Sequence, residues 1–448
     1  MLNTFKNYKL HYKSLVALGI PIIIGQLGNI VTGLADTIMV GQHSTDELAA
    51  ASFVNNVINA FIVLGTGFSF CLIPLIGENL AKKKLEAIGG WLKNSIVANI
   101  TTTVLIMLVL AGIYFNLDML DQPEEIMPLI KPYYVVTFVS VIFVMIANSF
   151  RQFVEGIGNP SVSMWILLSG NMLNILGNYI LIYGKFGAPE MGLYGAGVST
   201  LASRIIMLLM FVAVFMWRKT YAPYRKGMSE IKINKESWKK LNAIGWPIGI
   251  QQGLEAGTFC MTAIMIGWLG SMQLAAHQVV ITISTISYTT YLGLGSAVAI
   301  RASYFKGMDD WRMVRNITMA GVHIALMVVV VVCSALYLMQ DFLGLIFTDD
   351  TVVNDIVKTL LPILMLYQIG DSVQIVLSNS LRGLADVKII MWISFFAYFV
   401  VAIPAGYLCG FPFGMGINGV WLAYPIGFAC SVTMLGLRMK KLVRKHLG

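Results

Sequence analysis

Three carboxylates stand where an apolar chain has no ordinary use for them. Asp36 lies in GLADTIMVG (33–41), inside a run from Ser14 to Gly41 that is otherwise apolar enough to cross a bilayer; Glu255 lies in QQGLEAG and Asp371 in YQIGDSVQ, each again in an apolar stretch. A carboxylate in mid-membrane costs roughly 2.5–3.5 kcal/mol on insertion scales, so its presence asks for a function or a partner. An acid in that setting can hold a proton, a hard cation such as Na⁺ or an organic cation in turn, which is the chemistry an antiporter needs. Around Asp36, the residues Gln26, Asn29, Thr32 and Gly33 recur at spacings of three and four, which puts them on one helix face. Asn171, Asn174 and Asn178 repeat the pattern in the fifth apolar run, and Thr200 and Arg204 are four apart in the sixth. In the second half of the chain Gln252 precedes Glu255, and Tyr367, Asp371, Gln374 and Ser378 share a face.

Each of these has a structural reading beside the functional one. Asparagines glue helices together through hydrogen bonds averaging about 0.6 kcal/mol; Asp36 fits that role less well, since Asn or Ser does it without a charge. Arg204, alone in mid-span, is placed to neutralise Asp36. Glu255 and Asp371 read either as a coupling pair or as acids paired with His277 or another partner. Their oxygens, with Tyr367 and backbone carbonyls near the glycines, suit Na⁺, a cation that takes oxygen ligands.

The elements that must carry these residues are membrane helices. Of 448 residues 57% are hydrophobic and 12% charged, far from a soluble globular composition. Windows of about 20 apolar residues begin near Leu15, Leu48, Leu92, Met127, Val162, Met191, Leu241, Met272, Ile317, Ile356, Ile389 and Ile417, predicting an all-α integral membrane protein of twelve spans with short loops and no soluble domain. The first run follows Lys6, Lys9 and Lys13, is too long for a signal-peptide core and lacks a cleavage site, so it reads as an uncleaved helix. The net charge of +9 is distributed by loop. Lys82, Lys83, Lys84, Lys93 and Arg151, the series from Arg218 to Lys240, then Arg301, Lys306, Arg312, Arg315, Arg382, Lys388 and the tail from Arg438 to Lys445 lie on one side. Asp46, Glu47, Asp118, Asp121, Glu124, Glu125, Glu190, Asp341, Asp349, Asp350 and Asp355 lie on the other. The positive-inside rule then puts both termini in the cytoplasm. The basic charge is topology with contact to membrane lipids, and nucleic acid is not an expected partner. The five cysteines form no CxxC pair and the five histidines show no metal spacing. GMGING (414–419) has no strand before it and reads as a turn; GxxxxGK[ST] is absent, so ATP hydrolysis is not expected.

The chain also repeats itself. LVALGIPIIIGQ (15–26) lies over LNAIGWPIGIQQ (241–252) at a shift of 226, carrying Pro21 onto Pro247 and Gln26 onto Gln252. EGIGNPSVSMW (155–165) lies over RGLADVKIIMW (382–392) at 227, and GLYGA (192–196) over GINGV (416–420) at 224. The expected organisation is an N-terminal lobe over 1–217, a cytoplasmic basic linker over 218–240 and a C-terminal lobe over 241–448, six spans each in a parallel repeat, with a substrate path between them. The two prolines are expected to interrupt the first and seventh helices as hinges or static bends. The chemistry is not repeated: Asp36 meets Thr262 and Glu255 meets Asn29 under the shift.

The PIIIGQ…DTIMVG first helix, ELAAAS, EGIGNPSV, PIGIQQGLE and YQIGDSVQ with LRGLADVK together resemble the MATE (multidrug and toxic compound extrusion) transporters, the bacterial NorM-type members above all, over nearly the whole chain. The resemblance implies a V-shaped fold of two six-helix lobes exporting hydrophobic, often cationic drugs or toxins in exchange for Na⁺ or H⁺. It further implies an N-lobe ion or proton site at Asp36, Asn174, Asn178 and Thr200, and a C-lobe site at Glu255, Tyr367 and Asp371. Some relatives carry a second acid where this chain has Asn178. Gln26, Asn29, Gln252, Gln374, Ser378 and Arg204 are expected cavity-lining residues, with Na⁺ at Glu255, Tyr367 and Asp371 or at Asp36. The resulting expectation is a monomeric antiporter of an amphipathic cation in a bacterial inner membrane, without a cofactor beyond the coupling Na⁺ or H⁺. A flippase for a lipid-linked saccharide is the alternative. It would favour a basic cavity, whereas the buried charge reads as mainly acidic. A membrane-embedded enzyme lacks a visible nucleophile, base or metal set.

Overall fold

The computed structural model describes residues 2–120, 123–347 and 350–447. Asp121 and Asp349 of the acidic loops lie outside them, as does the side chain of Lys6. Among the described residues the regular elements are helical: α1 (Leu2–His43), α2 (Thr45–Ser69), α3 (Leu72–Ala81), α4 (Leu85–Phe115), α5 (Met127–Gly156), α6 (Pro160–Ile182), α7 (Gly192–Trp217), α8 (Ala222–Glu230), α9 (Lys235–Gly267), α10 (Ser271–Gly307), α11 (Trp311–Leu338), α12 (Thr351–Gly383), α13 (Val387–Ser394), α14 (Ile403–Gly410), α15 (Gly416–Trp421) and α16 (Ala423–Leu447). With α2 running into α3, α13 into α14 through a π-helical stretch (Phe395–Ala402), and α15 into α16, the expected spans appear as twelve long rods. Among the described residues ten are individually long and apolar enough to cross a membrane. The other two, α9 and α10, are the ones diluted by Gln251, Gln252, Glu255, Thr258, Thr262, His277 and a run of Ser and Thr. Helices satisfy all their backbone groups internally, which is why an apolar chain takes this form. Pro21 and Pro247 sit inside α1 and α9, which are helical on both sides of each proline.

Contacts group the chain into two compact units: Ile24–Gly249, and Met1–Ile23 with Ile250–Gly448. In the first unit, one core gathers Leu72, Ile88, Phe150, Phe153, Phe215 and Tyr224, and a second gathers Val54, Ile58, Leu110, Tyr134 and Leu193. Small residues let the site-bearing helices approach. A Cβ on Gly25 or Gly28 of α1 would press on Leu167 or on Leu168 and Asn171 of α6, and one on Gly177 would overlap Ser199 of α7. In the second unit Leu15 of α1 packs with Leu294, Val298 and Leu381, while Gly383 of α12 rests against the Ala299 carbonyl of α10. Such small-residue faces are how helices associate where apolar side chains gain nothing by leaving lipid.

The repeat is visible in the turns. Gly158, between α5 and α6, has φ +86°, and Ala385, its counterpart between α12 and α13, has φ +60°. The second copy keeps the left-handed turn without the glycine that makes it free of strain.

The basic stretch after α7 is not a bare strand of linker. Its helix α8 crosses α4 at backbone distance: a Cβ on Gly227 would overlap the Glu86 carbonyl, and one on Gly89 the Tyr224 carbonyl. Lys226 bonds Glu86 at 2.7 Å, and Lys93 donates to the Ile231 carbonyl at 3.1 Å. Gly227→Val is therefore expected to lift α8 off α4, speeding protease cleavage after Arg218 and Lys219 by tenfold or more; Lys226→Ala, which removes only an exposed, solvent-screened ion pair, is expected to leave the rate within about twofold.

Candidate functional site

Inside the Ile24–Gly249 unit lies a chamber of about 790 Å³. The polar stripe of α1 forms one wall with Gln26, Asn29, Thr32 and Asp36; α6 contributes Asn171 and Asn174, α7 Thr200 and Arg204, α5 Asn148 and Arg151, and α2 Asn55, Asn56 and Asn59. Asp36 is half-buried, and a hydrogen bond from Asn178 Nδ2 to Asp36 Oδ1 joins α6 to α1. With the amide of Asn174 oriented by its surroundings, Nδ2 donates to Asp36 Oδ1 at 3.0 Å and its oxygen accepts from Thr200 Oγ1 at 3.2 Å. Along the same seam Asn171 Nδ2 donates to Asn29 Oδ1 at 3.0 Å, and Asn29 to Gln26 Oε1 at 3.3 Å. Asn178 is fully buried and its Oδ1 has no partner among the described residues. That leaves an amide oxygen beside a carboxylate, the oxygen-rich setting a hard cation or a water takes.

Two expectations change here. Arg204 acts on Asp36 through its charge without a direct ion pair among the described residues: its Nη1 donates to Ser140 Oγ at 2.6 Å, and Asp36 takes its hydrogen bonds from amides. Nor is the buried charge mainly acidic, because the chamber holds two guanidinium groups, Arg151 and Arg204, with one carboxylate. Arg151 Nε is joined to Glu155 Oε1 at 2.8 Å, and that same oxygen takes Ser163 Oγ at 2.7 Å. Arg151 had read as a loop charge at a span end, although its i, i+4 spacing to Glu155 was in the sequence. Asn55 of α2 accepts from Tyr133 at 3.1 Å, with the NNVIN run as its signal in the sequence, and Asn148 of α5, which carries no such signal, donates to Thr66 at 3.1 Å.

The second unit holds the other two acids. Glu255 Oε1 accepts from Gln251 Nε2 at 2.7 Å on its own helix and from Gln374 Nε2 at 3.0 Å on α12. Behind this, Arg382 Nη2 donates to Gln251 Oε1, and the Arg382 charge acts on Glu255. Arg382 too had read as a loop residue; it is buried. Asp371 is buried, within electrostatic reach of Glu255, and its Oδ2 has no partner among the described residues. Tyr367, one turn before it, sits edge-on to Tyr424 and Phe428 with ring centroids 5.6 and 5.2 Å away. His277 is not the partner of either acid: its ring meets Trp421 at 5.6 Å. Ser378 is buried and its hydroxyl has no partner among the described residues, and Gln252 is half-buried outside this bonded set. No three His, Cys, Asp or Glu side chains converge among the described residues, so a cation here would draw on hydroxyl and amide oxygens beside one or two carboxylates.

The sequence matches the MatE family model over residues 21–180 and 247–408, one stretch in each half of the chain. The chain belongs to the MatE family. Among curated proteins it is 28% identical to the probable multidrug resistance protein NorM of Photorhabdus laumondii over 97% of this chain and 96% of that one. It is 29% identical to the multidrug resistance protein MdtK of Edwardsiella ictaluri and 28% to NorM of Vibrio cholerae, each over 96% or more of both chains. In fold it is similar to a MOP superfamily transporter from Pyrococcus furiosus, with TM-score 0.89 and 19% identity over 98% of this chain and 97% of that one. A mutant of the Vibrio cholerae MATE transporter VcmN gives 0.88 and 17%, covering 98% of each. This MatE protein is thus an all-helical, multi-pass membrane protein.

The Arg382–Gln251–Glu255 chain makes a measurable demand. Arg382→Gln removes a charge-assisted bond and leaves Glu255 without its cation, which is expected to cost about 1.5–3 kcal/mol, read as a lower unfolding temperature of detergent-solubilised protein. Glu255→Gln in the same chain is expected to recover part of that loss, and the double-mutant cycle would give the coupling; strict additivity would mean the two side chains do not act on one another.

Proposed function

We propose that this MatE protein is a secondary antiporter exporting hydrophobic, cationic drug-like compounds in exchange for Na⁺ or H⁺, a transporter and not an enzyme. The observation that carries the reading is Asp36, a carboxylate in a membrane-spanning helix held by amides of α6 in the wall of a chamber large enough for a drug-sized molecule. A carboxylate held by neutral donors keeps its charge available. A proton, Na⁺ or a substrate amine can each neutralise it, and only one at a time, so ion entry and substrate release become a single exchange. Asp36 with Asn174, Asn178 and Thr200 is the coupling site proposed for the first unit; Glu255, Tyr367 and Asp371 form that of the second, with Gln374 and Ser378 beside it. The unpartnered oxygens of Asn178 and Asp371 suit Na⁺ at either place.

Energetically, a charge crossing the full membrane potential supplies about 2.3 kcal/mol per 100 mV, so one ion per substrate sustains a gradient of roughly fiftyfold. The distribution of Lys and Arg supports an orientation with both termini cytoplasmic in a bacterial inner membrane, and no feature calls for more than one copy of the chain. The relatives named for multidrug resistance support the substrate class.

The test is ethidium efflux from proteoliposomes after separate Na⁺ and acid pulses. Wild type is expected to respond to one of the two, which names the coupling ion, and Asp36→Asn at equal reconstitution to lose at least nine-tenths of that response. Efflux driven equally well in the variant would remove Asp36 from the coupling step.

A further inference from the structure

The last residue of α1 is held in a way that only one of its charge states allows. His43 Nδ1 stands 2.8 Å from Glu47 Oε2 of α2, and its Nε2 stands 3.0 Å from Glu190 Oε1 in the stretch between α6 and α7. An ionised carboxylate only accepts, so both ring nitrogens must carry a proton for both bonds to exist, and a ring with two N–H groups is the imidazolium cation. A neutral ring has one N–H and turns a lone pair towards the other carboxylate. The other groups around the ring offer no substitute. The Tyr183 ring lies 6.2 Å away, and its hydroxyl is committed to the Met39 carbonyl at 2.8 Å. Asp46 of α2 and Lys185 are exposed, and among the described residues neither bonds His43, Glu47 or Glu190.

The two carboxylates are unlike. The Glu47 side chain is 12% exposed and lies against Gly192, where a Cβ would overlap its Oε1, whereas that of Glu190 is 67% exposed. The last ring proton therefore stays with Glu47, the partner that water solvates less, and the bond that goes with the first proton is the one to Glu190. That bond is the one side-chain tie from 184–191 to α1 or α2 among the described residues. The stretch folds back on itself, with Gly184 at φ +62°, Gly187 at φ +83° and the Met191 N–H donating to the Leu181 carbonyl at 2.9 Å. It joins α6, which brings Asn178 to Asp36, to α7, which brings Thr200 to Asn174.

We infer that His43 is a pH-sensitive latch: protonated, it pins the connection between α6 and α7 to α1 and α2; deprotonated, it keeps Glu47 and releases Glu190. With the ring neutral, the two glutamates also face one another without a cation between them, which favours release. The latch is closed below the range in which His43 titrates and opens as the pH rises through it, on the face that carries the acidic loops. It stands on this geometry and is separate from the exchange at Asp36.

The test is hydrogen exchange at the amides of 184–191 in the full-length protein in lipid nanodiscs, with the intrinsic rate at each pH divided out. Protection is compared at about pH 6 and about pH 9, either side of the histidine range. Wild type is expected to lose about three- to fivefold in protection from the lower to the higher pH, the worth of one partly exposed ion pair. Glu190→Gln and His43→Gln are expected to show the low value at both, with the amides of α4 as protected as in wild type to check folding. Wild-type protection that does not change with pH, or a fall of the same size in Glu190→Gln, overturns the inference. Glu190 is exposed, so its replacement decides the matter even where His43→Gln disturbs the end of α1.

Discussion

A carboxylate inside a bilayer must be met by donors that the protein itself supplies, because the surrounding lipid has none. In the Ile24–Gly249 unit that demand is met across one seam, where Asn178 and Asn174 of α6 reach Asp36 of α1. For both amides to arrive, α6 must present the face bearing Asn171, Asn174 and Asn178 to α1, and Gly25 and Gly28 clear the space for it. On its far side α6 must stay close to α7, which Gly177 allows; Ser199 donates to the Asn174 carbonyl at 2.8 Å and Thr200 meets its side chain. The chamber is the space these commitments leave between α1, α6 and α7 and the asparagines of α2 and α5.

The duplication kept the backbone and changed the charges. At equivalent turns Gly158 and Ala385 share a left-handed conformation. Three residues earlier in each copy, though, Glu155 bonds Arg151 and Ser163 while Arg382 bonds Gln251. Asn29, part of a neutral amide chain in one unit, stands where the other places Glu255; Thr262, whose hydroxyl donates to the Thr258 carbonyl of its own helix, stands where the first places Asp36. The two units are therefore the same scaffold with different electrostatics. One holds its acid through asparagines in an open chamber, the other through glutamines and a buried arginine among tyrosines.

What the sequence revealed of this followed from periodicity. Twelve apolar windows and a polar stripe from Gln26 to Asp36 are repeating signals, and both the rods and the faces of α1 and α6 were legible from them. Arg151 and Arg382 were not, since a basic residue at a span end looks the same whether it faces water or is folded back onto a partner. That Arg204 bonds Ser140 and makes no direct bond to Asp36 was equally hidden, for spacing on two different helices says nothing about which of several acceptors a guanidinium reaches. The crossing of α8 over α4 depends on Gly89 and Gly227 meeting at backbone distance, and glycine leaves no periodic trace. The π-helical stretch Phe395–Ala402, uniformly apolar, gave no sign of itself either.

The grouping of Met1–Ile23 with Ile250–Gly448 bears on how the protein is made. Leu15 belongs to a core whose other members include Leu381, Leu435 and Val443. The α1 residues up to Ile23 thus find their packing partners only in segments made after the whole Ile24–Gly249 unit. The Ile24–Gly249 unit can close as soon as α9 begins. Assembly is therefore local in sequence for one unit and distant in sequence for the other, whose core joins Leu15 of α1 to Leu435 and Val443 of α16.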